Sequence, residues 1–253
     1  MEDIPLEAIF PYVNRAALFR GQWQVRRRGK AEAEYNEYVE KNVIPVFEEW
    51  KRRSIEERLL TPKVVYGYFP AQSEGDDLIV YSEDGSRARL RFTFPRQPEK
   101  RRLCISDYFA PKSSGVMDIV AFHAVTIGPR ATEFAQSLFK SNRYAEYLYF
   151  HGLSVETTEA LAEYWHKRIR TELRIDDRDA PEMERLFGQG YRGSRYSFGY
   201  PACPNLEDQV KLFELLDPGR IGLSLTEAYQ LVPEQTTTAI IVHHPDAKYF
   251  NIR

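Results

Sequence analysis

The chain has 253 residues, 43% of them hydrophobic, and sets 35 lysines and arginines against 37 aspartates and glutamates for a net charge of -2. That length holds a sizeable core in one large domain or two small ones, and the near-neutral balance removes the basic field that draws a protein to nucleic acid or anionic lipid. Two cysteines, Cys104 and Cys203, lack any metal-ligand spacing, the first residues carry no signal pattern, and no apolar run approaches the roughly 20 residues of a membrane helix, so a soluble cytoplasmic protein is expected.

From Pro5 to Trp23 the apolar residues Leu6, Ile9, Phe10, Val13, Ala17 and Leu18 recur at the helical period. Pro11 disfavours helical geometry at Phe10, which predicts a helix start or kink there and a helix onward toward Phe19. The basic run Arg26, Arg27, Arg28, Gly29, Lys30 precedes an acidic helical stretch and is read as a solvated helix boundary. Lys30 to Leu60, with Tyr35, Val39, Val43, Phe47 and Trp50 at helical spacing, predicts one or two amphipathic helices. After Pro62 the period becomes that of strands: KVVYGYF, DLIVYS and RARLRFTF form an antiparallel sheet, with Asp84-Gly85 as a hairpin turn. Another strand is expected from Met117 to Val125. A long helical region follows from Thr132 to Leu173, broken near His151-Gly152. Then come a Gly-rich loop, a helix from Asn205 to Leu216, a turn at Pro218-Gly219, and strands near Leu225 to Val232 and Thr237 to His243. Strands clustered apart from helices indicate an α+β fold in one domain, not a doubly wound sheet.

No GxGxxG follows a strand, and P-loop, GxSxG and HExxH motifs are missing. The five histidines, His123, His151, His166, His243 and His244, have no second ligand type at useful spacing, so no metal site is expected. His244-Pro245-Asp246 is read as a strand-closing turn in preference to a tuned imidazole. Glu159 and Glu163, four apart, share a helix face, which either meets solvent or aims a carboxylate into a site. The segment RYSFGYPACP, Arg195 to Pro204, has the composition of a stiff irregular turn: Gly199 permits unusual backbone geometry, and Pro201 and Pro204 fix φ. Arg195 beside Tyr196 and Tyr200 suits a small zwitterionic or nucleoside ligand, against the alternative of a purely structural turn.

RYSFGYPACP together with LTEAYQLVPEQTTTAIIVHHPDAKYF closely resembles the reactivation domain of cobalamin-dependent methionine synthases, which binds S-adenosylmethionine. YFPAQSEGDDLIVY, ISDYFAPKSSG and ETTEALAEYWHKRIR agree in the same order, so the resemblance spans nearly the whole chain. It implies a C-shaped domain around a twisted antiparallel sheet flanked by helices, with no Rossmann core. It also implies a repair reaction, in which a methyl group from S-adenosylmethionine and one electron from a flavodoxin-type donor return cob(II)alamin, carried by a partner domain, to methylcobalamin. By resemblance, Arg195 pairs with the methionyl carboxylate, Ser197, Gly199 and Tyr200 line the ligand, Glu159 meets its ammonium, and Tyr249 lies against it with Phe250 beside. The family's amino-terminal aspartate contact is replaced in Tyr12-Val13-Asn14 by Asn14, which bonds without charge. No catalytic side chain is implied, because the donor methyl is already activated by its sulfonium. The alternatives are a sensor or docking module that binds S-adenosylmethionine for another corrinoid protein, and a small-molecule methyltransferase, for which no general base stands out.

Overall fold

The structure is a computed structural model that describes residues 4–29, 31–99 and 101–252. Lys30, part of the basic run noted above, lies outside them. The chain divides into two compact units: Met1–Lys63, Val125–Tyr164 and Val232–Thr236 form unit 1, and Val64–Ala124, Trp165–Leu231 and Thr237–Arg253 form unit 2.

Unit 1 is built on helices. α1 (Leu6–Ile9) passes into a 3-10 turn, Phe10–Tyr12, that accepts Pro11 at its first positions. The helix expected to continue to Phe19 instead stops at Val13, whose ψ of 121° is extended, and a new one is started by Asn14. The Asn14 side-chain oxygen accepts the Ala17 amide at 3.1 Å, a capping bond that begins a wide helical segment, Ala17–Gln22. α2 (Glu32–Tyr38) and α3 (Ile44–Glu56) are joined by a π-type turn, Val39–Val43. Pro45 has no N–H for the carbonyl one turn back, and the widened turn absorbs that missing bond.

α4 (Pro129–Lys140) follows Gly128, and α5 (Tyr144–Glu172) follows Asn142, whose positive φ of 60° ends the preceding helix. The break predicted at His151-Gly152 is absent: α5 runs 29 residues without interruption. Gly152 is there for packing. A Cβ on it would stand 2.8 Å from Gln22 Cβ and 2.9 Å from the Trp23 ring, so glycine lets Trp23 lie against the helix backbone, where its indole N–H donates to the Tyr149 carbonyl at 3.0 Å. Phe19, Trp23 and Phe47 pack edge to face or tilted, as do Trp50, Phe134 and Phe150, and this aromatic stack is the core of the unit.

Unit 2 carries a six-stranded sheet in the order β3-β2-β1-β4-β8-β5. Its strands are β1 (Lys63–Glu74), β2 (Asp77–Tyr81), β3 (Ala88–Thr93), β4 (Asp118–Thr126), β5 (Ser194–Ser197) and β8 (Thr236–Val242). The β1–β2, β2–β3 and β5–β8 pairings are antiparallel, in keeping with the expected α+β class. Asp84-Gly85 makes the predicted hairpin turn between β2 and β3: Gly85 has φ +71°, and the Asp84 carboxylate accepts bonds from Ser82 and Ser86. β4 is buried along nearly its whole length, as an apolar run covered on both faces should be, whereas β3 at the edge exposes Arg89 and Arg91.

Two expectations need correction. The strand predicted over Leu225 to Val232 is a short ribbon of β6 (Ser224–Leu225) and β7 (Leu231–Val232), closed by a turn in which the Thr226 amide donates to the Gln230 carbonyl at 2.9 Å. Arg195 to Ser197, read as irregular loop, is strand β5, pairing Arg195 with Ile241 and Tyr196 with Ile240. α6 (Met183–Phe187) precedes β5. α7 (Asp208–Leu216) follows it, and the side chain of Gln209 holds the Tyr229 carbonyl and the Thr238 hydroxyl at 2.8 and 3.0 Å.

Candidate functional site

The alternation of β5 sets the first part of the site. Tyr196 and Phe198 point into the core, 1% and 7% exposed, which turns the half-buried Arg195 and Ser197 to the other face. Phe198 packs near Phe92 and its amide donates to the Thr238 carbonyl, so the strand ends firmly anchored. A tight turn then closes on itself: the Gly199 amide donates to the Cys203 carbonyl at 3.0 Å, and the Cys203 amide to the Tyr200 carbonyl at 2.9 Å. Gly199 has φ +88°, a conformation that an L side chain adopts only under strain, and a Cβ would also meet the Leu206 side chain at 2.9 Å. Ala202 and Cys203 are buried beneath the turn and Tyr200 is left 54% exposed at its tip. Cys203 is a structural thiol: burial, with Asp208 adding to it, pushes it up to about 12, and its sulfur bonds the Ser197 carbonyl.

Two imidazoles that lack metal-ligand spacing in the sequence feel the positive charge of Arg195. His123 and His166 are both fully buried, and none of their ring nitrogens has a hydrogen-bond partner among the described residues. Burial, reinforced by the positive charge of Arg195, pushes His123 down to about 3; burial, then Arg170 and Arg195, holds His166 well below the usual imidazole range. Both rings are therefore neutral at physiological pH. His166 meets the edge of Tyr191 at 5.0 Å, and the Arg170 guanidinium lies over the same ring at 4.0 Å while gripping Asp179.

The carboxyl-terminal segment reaches the neighbourhood of β5. Tyr249 stacks near Tyr196 with ring centres 6.5 Å apart, and the Tyr196 hydroxyl donates to the Lys248 carbonyl at 2.8 Å. Tyr249 is 46% exposed, whereas Phe250 is 7% exposed and packs on Tyr196 and Tyr108; the Phe250 ring is a core side chain. The Tyr249 amide donates to the side-chain oxygen of Gln189, whose amide nitrogen donates to Ser194, the residue before Arg195.

Asn14 and Glu159 belong to unit 1. Asn14 is half-buried with its oxygen committed to the capping bond, which leaves the amide end for a further contact. Glu159 is half-buried on α5, with Glu163 more deeply covered on the same helix. One turn earlier, Glu156 is 8% exposed and accepts a bond from Gln22 at 3.3 Å. Burial pushes its carboxyl up, the Gln22 bond opposes, and the charge of Glu159 pushes it further up. Sequence periodicity singled out Glu159 and Glu163. Glu156 was missed, though its register against the buried Thr157 and Ala160 was the available signal.

Other candidates resolve simply. The His244 ring accepts the Asp246 amide at 3.2 Å in a turn, as read. Its neighbour His243 instead pairs with Asp118 at 2.7 Å; burial opposes ionisation of Asp118, but the His243 contact and the Ala110 and Ile119 amides hold its carboxyl below the usual range. The ISDYFAPKSSG segment borders a cleft of about 690 Å³ where Arg96 pairs with Asp107 and Lys112 with Glu74. No helix is long and apolar enough to cross a membrane, and no group of three acidic, histidine or cysteine side chains suits a metal ion among the described residues.

Residues 5–253 match the family model described as "Vitamin B12 dependent methionine synthase, activation domain". The chain is 47% identical to the methionine synthase of Mycobacterium tuberculosis (strain ATCC 25618 / H37Rv) and 46% identical to that of Mycobacterium leprae (strain TN), with 95% of the chain aligned in each case. It spans 21% of the length of each of these relatives. Among solved structures it is similar to the crystal structure of the MetH reactivation domain bound to AdoHcy, with a TM-score of 0.86, 27% identity, and coverage of 100% of this chain and 80% of that one.

Proposed function

Because the chain belongs to the vitamin B12 dependent methionine synthase activation domain family, we propose that it binds S-adenosylmethionine and presents its methyl group for reductive remethylation of inactive cobalamin. The observation that carries this reading is the strand-turn from Arg195 to Cys203, which sets a half-buried guanidinium on strand β5 just before a turn that leaves Gly199 and Tyr200 exposed. A carboxylate on Arg195 gains charge-assisted bonds, and exposed tyrosine faces attract a sulfonium by about 0.5–2 kcal/mol.

In this reading Arg195 takes the methionyl carboxylate, Ser197, Gly199 and Tyr200 line the ligand, and Tyr249 flanks it with Phe250 supporting from the core. Glu159 meets the ammonium, and the free amide end of Asn14 supplies a neutral contact. The cobalamin is a substrate held by another domain of the synthase: once reduced by one electron from a flavodoxin-type donor, its cobalt takes the methyl carbon, the sulfonium–carbon bond breaks, and S-adenosylhomocysteine leaves. The protein's own task is therefore to hold the donor in line, with no nucleophile or general base. Alone, the chain binds donor but makes no methionine, and it works in the cytoplasm.

Titration calorimetry tests the reading. Saturable uptake of S-adenosylmethionine is expected, with affinity reduced at least tenfold in Arg195→Ala; no saturable uptake, or uptake indifferent to that substitution, overturns it. With a supplied cobalamin module, methylation should require the chain, the donor and a reductant together.

A further inference from the structure

Unit 2 contains a second cleft, of about 430 Å³, formed by the segment from Asp177 to Arg192 and by Pro245 and Lys248. Four cations line it, Arg178, Arg185, Arg192 and Lys248, against two carboxylates, Asp177 and Asp179. Asp179 is already engaged, gripped at 2.9 and 2.8 Å by the buried Arg170. The cations, by contrast, have no close carboxylate partner among the described residues. Arg192 donates Nε to the His243 carbonyl, and the Lys248 ammonium donates to the carbonyls of Gln189 and Tyr191 at 2.7 and 2.8 Å. Arg185 has only a loose, exposed contact with Glu182 at 3.6 Å, worth little in water. Among the described residues no ion pair involves Arg178, Arg192 or Lys248. Burial alone lowers the Lys248 ammonium below its ordinary range, as expected of a cation held by dipoles without a counter-charge.

A chain of net charge -2 has thus gathered four cations around one uncommitted carboxylate in a concave site of ligand size. Forked guanidiniums beside an ammonium match the oxygens of a phosphate group, and Pro245 and the Tyr191 ring give an apolar flank for a substituent. We propose that this cleft binds a phosphate group, free or as the ester of a small organic molecule. Occupancy has a mechanical route outward: Lys248 and Gln189, which hold each other, also fix Tyr196 and the Tyr249 amide.

The test is calorimetry of the chain at low ionic strength with two probes, inorganic phosphate and a nucleoside monophosphate, repeated on the exposed double variant Arg178→Ala/Arg185→Ala. Saturable binding that weakens at least tenfold in the double variant and falls with added potassium chloride is expected. Tighter binding of the nucleoside monophosphate assigns the site to an ester; equal binding assigns it to the free anion. Absence of saturable binding by both probes, or binding unchanged in a double variant of wild-type melting temperature, overturns the proposal. The double variant should still take up S-adenosylmethionine with wild-type affinity, so failure here is separable from failure of the function proposed above.

Discussion

The two units carry their candidate residues on different kinds of support. In unit 1, Glu159 projects from a 29-residue helix whose backbone bonds are made whatever side chain stands there. In unit 2, Arg195, Ser197 and Tyr200 ride on four residues of edge strand and a turn whose shape depends on Gly199, Phe198 and Cys203. A helix lets binding groups vary at small cost in stability, whereas a strand-turn ties binding and folding to the same residues.

The largest expected effect attacks the anchored side. Phe198→Ala removes a core ring under the turn and should cost about 3 kcal/mol by urea denaturation, with donor affinity falling alongside. Loss of stability with intact affinity would break the claimed linkage.

Acid separates the units next. His123 and His166 in unit 2 have folded pKa values depressed below the unfolded value near 6.5, so the unfolded chain binds more protons as pH falls below about 6.5, for His123 down to about 3. Their stabilising contribution is complete above that window and is lost through it, by about 1.4 kcal/mol per pH unit for each histidine. Glu156 in unit 1 runs the other way: its raised folded pKa favours the folded state at low pH and is unfavourable as pH rises past the usual carboxylate range. Amide exchange, corrected for intrinsic rates, should show β4 and β8 loosening from pH 7 to 5 while α5 around Glu156 does not, and His123→Leu should flatten the unit 2 response.

Smaller effects fall on the helix side. Glu159→Gln should lower S-adenosylmethionine affinity several-fold while changing stability by no more than about 0.5 kcal/mol. Asn14→Asp should be smaller still: aspartate caps as well as asparagine, so the melting temperature holds, and the added charge should raise affinity modestly by calorimetry.

Local chemistry made much of this fold legible. Asp84-Gly85 fixed a hairpin because its turn needs only its own residues, and the apolar run of β4 announced a covered strand. Misreadings arose where a distant partner decides. Arg195 to Ser197 has little strand propensity of its own and becomes β5 by pairing with β8, more than 40 residues onward. Gly152 signals a break only to a reader who cannot see Trp23 lying against it. The candidate binding residues came from motif resemblance, while Glu156, His123 and the His243–Asp118 pair emerged only when burial was known, since a buried imidazole and an exposed one are spelled alike.

The contact between Trp23 and Gly152 also acts as a ruler. An indole wedged where no Cβ is tolerated forbids α5 from sliding or rotating by a turn, so the height of every residue further along that helix is measured from this point. Glu159 stands seven residues on, about 10 Å along the axis, with its direction set within the same seven-residue, two-turn phase. Enlarging residue 152 would therefore misplace a carboxylate far from the substitution, without touching the carboxylate at all.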